Sequence, residues 1–269
     1  MKKIVATSLS ILALIGYSYC QTTNEVSSVN AVGYMKIVVP AKPGLCLGGV
    51  NLIAVNGTDH IGLKEFFGTN QLRQSVNAGS GDAIKLWDSA SQTYISYQQK
   101  TNASGVVDFY NLSNWLGEPT NPIVSNGTAY WIKSMTTAQK EIFVMGGVPV
   151  DESVNNTIST GSGRPLNFIA NPYPVKVLLD DLINTNDGAK ASSSLGSADW
   201  IKMWDQSSQL YVNYGLRSNG TEAAYWSRMT NDWSPKSNVW LEAGQGVWYT
   251  SRKATPILWT ENKPYAWPN

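Results

Sequence analysis

Residues 82–97 read DAIKLWDSASQTYISY, and residues 199–214, an offset of 117, read DWIKMWDQSSQLYVNY. The same offset returns downstream, where GTAYWIKS (127–134) aligns with GQGVWYTS (244–251). Upstream, Leu52, Ile53 and Ala54 match Phe168, Ile169 and Ala170 at an offset of 116. Three blocks in one order, separated by small insertions, mark a duplicated structural unit.

Each long block reads as a β-hairpin. Ile84 and Leu86 fall on one face of the first strand, with Ala83, Lys85 and Trp87 on the other. In the second copy Ile201 and Met203 oppose Trp200, Lys202 and Trp204. Period-two alternation makes this division. Asp88 and Asp205 open the turns, where a short carboxylate bonds backbone amides two residues on. A second strand then carries Tyr94, Ile95 and Tyr97.

Outward from the hairpins, 33–40 is β-branched and closes at Pro40, as a strand does. A glycine-rich stretch over 44–55 ends in a strand at 51–55, with its counterpart at 166–171. Ile61, Leu63, Phe66 and Phe67 predict a short helix, matched by Val177, Leu178, Leu179, Leu182 and Ile183. Each helix spans little more than two turns and covers one end of its unit. Aromatic irregular segments follow at 109–115 and 225–233, then strands at 129–132 and 246–249 and closing strands at 141–145 and 256–259. The expected fold is mainly β: two tandem duplicated small β-barrel or sandwich domains, each with one short helix. The first domain is placed at 30–146 and the second at 164–269. Residues 147–163, rich in Gly, Ser, Asn and Thr, are read as the linker.

Lys2 and Lys3, an apolar run over 4–15, and Ser18 and Cys20 before Gln21 predict a signal peptide over 1–20 and export to the extracellular space, cell surface or periplasm. Residues 21–29 are read as a disordered segment. Retention and lipidation of Cys20 is the alternative, disfavoured by Tyr19 where lipoprotein signals carry a small residue. No second apolar run of membrane length follows. Cleavage removes Lys2 and Lys3 from the 20 basic residues and leaves 18 against 19 acidic ones. Such balance gives no electrostatic footprint for nucleic acid or acidic lipid. Cleavage also leaves Cys46 as the one cysteine, without a disulfide partner and flanked by Leu45 and Leu47 like a buried hydrophobe. Eleven tryptophans and thirteen tyrosines against five phenylalanines fit both extracellular β proteins and sugar-binding surfaces.

The sequence NLIAVN or NFIANPYP, a short helix, IKLWD or IKMWD, then glycine with AYWIKS or GVWYTS resembles the "W-N-L-I-S-x-P … G-Y-W-I" β units of bacterial and archaeal cell-surface proteins. The stretch VNAVGYMKIVVP is similar to the mature start of a secreted paralogue family of verrucomicrobial type. Val50 and Leu166 stand where those units usually have tryptophan. The resemblance implies a secreted or surface-associated protein and supplies no catalytic residue.

Catalytic motifs are scarce. His60 is the single histidine, in a loop where Asp59 is expected to cap the helix that follows. No HExxH, CxxC pair, GxSxG elbow or Walker loop occurs. No metal site, catalytic residue or cofactor is therefore expected. Glycosidases need only two carboxylates, but Glu65, Asp88, Glu118, Asp180, Asp181 and Asp205 form no distinctive pattern.

Binding chemistry is better represented. If the second hairpin face is exposed, Trp87, Tyr94, Trp200, Trp204 and Tyr211 form an aromatic strip on which sugar rings stack, with Lys85 and Lys202 beside it. Trp226 and Trp233, in a segment that differs between the copies, extend the candidate set. If that face is buried, the same tryptophans are framework. The leading expectation is a non-catalytic secreted or cell-surface structural and interaction protein, meeting copies of itself or other envelope components. Carbohydrate binding comes second, and a secreted polysaccharide-active hydrolase third.

Overall fold

Alternating apolar and polar residues do fold as strands in both halves of the chain, and the duplication is carried strand by strand. The computed structural model describes residues 32–160, 165–218, 220, 223–229 and 238–266. The expected signal peptide and the segment 21–29 lie outside the described residues.

The first repeat contains nine strands: β1 (Val32–Val39), β2 (Leu45–Gly49), β3 (His60–Gly62), β4 (Ala83–Asp88), β5 (Thr93–Thr101), β6 (Val107–Asn111), β7 (Ile123–Ser125), β8 (Ala129–Lys133) and β9 (Lys140–Gly147). The second repeats them as β10 (Ser153–Ile158), β11 (Leu166–Ala170), β12 (Val177–Leu178), β13 (Trp200–Asp205), β14 (Leu210–Arg217), β15 (Tyr225–Arg228), β16 (Trp240–Leu241), β17 (Gly246–Thr250) and β18 (Ile257–Asn262). A five-stranded antiparallel sheet runs β2-β8-β4-β5-β6 in one repeat and β11-β17-β13-β14-β15 in the other. Two-stranded ribbons β1-β9 and β10-β18 accompany them, as do the small pairs β3-β7 and β12-β16. The fold is thus mainly β and sandwich-like, with no closed barrel among the described residues.

Within each repeat the ribbon packs across the inner face of the sheet. Ile37 and Val39 of β1 and Ile142 and Val144 of β9 meet Ile84, Tyr130 and Ile132 of the sheet, while Phe66 and Phe67 of α1 (Leu63–Phe67) close the end. Ile158, Ile257 and Trp259 take the ribbon's part in the second repeat, and Leu179 and Leu182 of α2 (Leu179–Leu182) take the helix's part. Cys46 is buried in the first core, where burial pushes its thiol pKa up to about 12.

Five sequence expectations need correction. The segments read as irregular at 109–115 and 225–233 contribute to strands β6 and β15, paired with β5 and β14. The presumed linker 147–163 contains β10, paired with β18 from Ser153 opposite Asn262 to Ile158 opposite Ile257. The repeats are therefore joined between Gly147 and Ser153, where the carbonyls of Pro149, Val150 and Asp151 accept bonds from Tyr265, Lys263 and Tyr173. Val154, Asn156 and Ile158 form the inward row, and the polar Asn156 in it breaks the apolar alternation that would mark a strand. The helices are single turns, because Ile61 belongs to β3 and Val177 and Leu178 to β12. The strand expected at 51–55 is absent; sheet position pairs β2 with β11, so Leu45 is the counterpart of Leu166. Asp59 caps no helix: α1 has Gly62 at its N-cap without a side-chain bond, and Asp59 instead contacts the His60 ring at 2.9 Å.

Candidate functional site

The site is built on the two hairpin turns. Asp88 accepts from the Ala90 amide and the Ser91 hydroxyl, and Asp205 from the amide and hydroxyl of Ser207. These bonds favour the ionised form and lower both carboxyl pKa values, that of Asp205 to about 2. Each turn ends at a glutamine in the left-handed region, Gln92 at φ 54° and Gln209 at φ 56°.

Those glutamines reach into the other repeat. The Leu45 amide donates to Gln209 Oε1 at 2.9 Å, and the Leu166 amide donates to Gln92 Oε1 at 2.9 Å. The tryptophans complete the exchange. Trp204 Nε1 donates to the Leu45 carbonyl at 3.1 Å, and Trp87 Nε1 to the Leu166 carbonyl at 2.9 Å. Backbone joins backbone in the same symmetric manner, with Gly49 donating to the Gly244 carbonyl and Ala170 to the Gly127 carbonyl. Each hairpin thereby satisfies the edge strand of the other repeat's sheet, which would otherwise present unpaired backbone groups.

An aromatic cluster fills this seam. Trp87 meets Trp248 edge-on at 4.8 Å between ring centroids, and Trp204 meets Trp131 edge-on at 5.0 Å. Phe168 stacks on Trp248 at 4.2 Å. Trp131 Nε1 donates to the Tyr94 hydroxyl at 2.8 Å, and Trp248 Nε1 to the Tyr211 hydroxyl at 3.0 Å. Burial raises both phenol pKa values, that of Tyr94 to about 12 even though the Trp131 indole N–H opposes the shift. Both tyrosines are therefore protonated at neutral pH, so each hydroxyl accepts an indole N–H while keeping its own hydrogen to donate.

The cluster is open on one side. A groove of about 180 Å³ is lined by Leu45, Lys85, Tyr94, Trp131, Trp204 and Tyr211. Tyr94 and Tyr211 remain 38% and 40% exposed at its mouth, whereas Trp131 is buried. Lys85 Nζ stands 5.7 Å from the Tyr94 ring centroid.

Of the candidates named from sequence, Trp87, Tyr94, Trp204 and Tyr211 come together at the seam. Trp87 and Trp204 are half-buried and spend their indole N–H groups on the other repeat. Trp200 lies apart from that cluster; it donates to the Leu195 carbonyl, and the Arg252 guanidinium stands 4.9 Å from its ring. Trp226 is 1% exposed and donates to the Ile183 carbonyl inside the second core, so it has no face to offer a ligand. Trp233 lies outside the described residues. Sequence reasoning passed over Trp131 and Trp248 as framework strand and did not single out Leu45, Gln92 or Gln209. The glutamine's recurrence at one turn position in both copies was the available signal.

Among the described residues no three His, Cys, Asp or Glu side chains converge as a metal site would require. No helix among them is long and apolar enough to cross a membrane. No family model, curated protein or solved structure was found to match the chain.

Proposed function

We propose that this is a non-catalytic exported protein of the cell surface or matrix, working through protein contacts with copies of itself or with other envelope components. The outer face of the β1-β9 ribbon carries the proposal. Val32, Tyr34, Phe143 and Met145 project there and are 48%, 71%, 47% and 37% exposed. Tyr34 lies opposite Met145 and Lys36 opposite Phe143, so the apolar side chains are contiguous. Contiguous exposed apolar surface is the usual mark of an interaction site.

The duplication supplies an internal control. Aligning the ribbons on their paired isoleucines, Ile37 with Ile142 and Ile158 with Ile257, places Ser153, Asn155, Leu258 and Thr260 at the same four positions. Three are polar, and Thr260 bonds Asn155 at 2.6 Å. A ribbon of this kind folds without an apolar outer face, so that face in the first repeat supports a partner.

Replacing Val32→Ser, Tyr34→Asn and Met145→Thr together imposes the second repeat's residues on the first. In analytical ultracentrifugation and in co-sedimentation with envelope fragments, the native chain is expected to associate and the triple variant to remain free. A native chain that does neither, or a variant that does both, refutes the proposal.

A second reading, carbohydrate binding, is favoured by the seam groove, where two partly exposed tyrosine rings carry hydroxyl donors. Rigid aromatic faces beside a few polar groups suit the apolar face of a sugar ring.

A further inference from the structure

Nine positions are identical between residues 82–97 and 199–214. Eight have a structural role. Asp82, Asp199, Ile84 and Ile201 are buried, while Trp87, Trp204, Gln92 and Gln209 bind across the seam. Asp88, Asp205, Ser91 and Ser208 build the turns, Tyr94 and Tyr211 accept the indole N–H groups, and Tyr97 and Tyr214 pack in the two cores. In the ninth pair, Lys85 and Lys202, the side chains are neither buried nor joined by a hydrogen bond or ion pair to any described residue.

Lys85 belongs to the groove wall, and no carboxylate lines that groove. Its ammonium, 5.7 Å from the Tyr94 ring centre, is near the outer limit of about 6 Å for cation–π attraction and is held only weakly. A cation without a counter-charge, set among aromatic rings, complements a ligand that is anionic and also has an apolar face. We infer that the groove binds an acidic saccharide, whose ring lies on the tyrosines and whose carboxylate or sulfate group pairs with Lys85. The phenol hydrogens of Tyr94 and Tyr211 serve the ring oxygens and hydroxyls. At about 180 Å³ the groove is smaller than the roughly 300–1,000 Å³ of drug-sized ligand pockets, so it takes a single ring of a longer glycan. The near-neutral chain offers no general polyanion surface, which leaves the local charge at Lys85 to select the ligand.

This inference rests on the carbohydrate reading and narrows its ligand class. Isothermal titration of the purified chain with oligogalacturonate, a sulfated galactan oligosaccharide and neutral cello-oligosaccharide tests both. Binding to at least one acidic sugar is expected, with a preference of about tenfold over the neutral one, the size of one charge-assisted hydrogen bond. Lys85→Gln removes that preference without moving the thermal transition, because Lys85 holds nothing in place. Tyr211→Ala weakens all sugar binding, and Lys100→Gln, which alters an aromatic-flanked lysine outside the groove, leaves it unchanged. The carboxylated and sulfated arms identify the anion. Acidic binding that survives Lys85→Gln refutes the inference. Equal binding of neutral and acidic sugars refutes it while sustaining the carbohydrate reading, and no binding to any of the three sinks both.

Discussion

Gln92 and Gln209 hold a left-handed backbone that glycine or asparagine adopts with less strain. The strain is offset by the side-chain amide, which pairs with both the N–H and the C=O of Leu45 in the case of Gln209. Gln209→Ala keeps the strained φ and loses both bonds, whereas Gln209→Gly loses the bonds alone. Denaturant titration is expected to show Ala costing about 1–3 kcal/mol and Gly less. Equal stabilities for the two variants would show that φ carries no strain here.

Glu261 sets a different demand. It is buried on β18, and desolvation, followed by repulsion from Asp187 and Asp181, raises its pKa from an ordinary 4.5 to about 8; the Trp259 contact opposes that rise. Tyr173 feels the same carboxyl. The folded state therefore holds this proton between about pH 4.5 and 8 where the unfolded state has released it. Stability must fall as pH rises through that window. Melting temperatures measured from pH 5 to 9 should decline for the native chain and decline less for Glu261→Gln.

Among the elements, β2, β11, β8 and β17 meet about a local two-fold relation, and equivalent positions face each other there. A Cβ added to Gly49 would overlap that of Ala170, its own counterpart, and one added to Gly246 would lie 2.5 Å from that of Ala129. The opposing backbone is close as well, with the Gln245 carbonyl oxygen 2.9 Å from a Cβ at Gly49 and the Gly48 carbonyl oxygen 2.5 Å from one at Gly246, so each contact is built around glycine in one copy and alanine in the other. Gly49→Ala should cost about 1–3 kcal/mol by overpacking. Adding Ala170→Gly removes the methyl overlap but not the approach to the Gln245 carbonyl, so it should recover part of the loss, a coupling that a double-mutant cycle measures.

The elements also divide by legibility. The hairpins were readable because apolar alternation and turn aspartates act over a few residues. β10 was not, since Asn156 interrupts its inward apolar row, and α1 and α2 were overestimated because isoleucine, valine and leucine at helix-like spacing also continue into β3 and β12.

At the scale of the whole molecule, the seven cross-repeat hydrogen bonds described above and a shared aromatic core bind the two sandwiches into one unit. Neither repeat keeps its edge strand satisfied without the other. Unfolding followed by tryptophan fluorescence and by far-ultraviolet circular dichroism should give one coincident transition. Two separated transitions would show the repeats to be independent domains. Trp204→Phe, which keeps the ring and removes the N–H, should lower the single midpoint without splitting it.

By itself the sequence determined the duplication, the period-two hairpins and the chemistry of their turns, because those depend on residues adjacent or nearly so. Whether Trp87 and Trp204 faced solvent, their own core or the other repeat was decided only by the tertiary structure. Their partners, Leu166 and Leu45, lie 79 and 159 residues away, and no local pattern specifies a bond across that separation. The same packing buried Trp226 and left Lys85 beside an aromatic groove, turning one repeated motif into framework on most positions and a candidate binding surface at one.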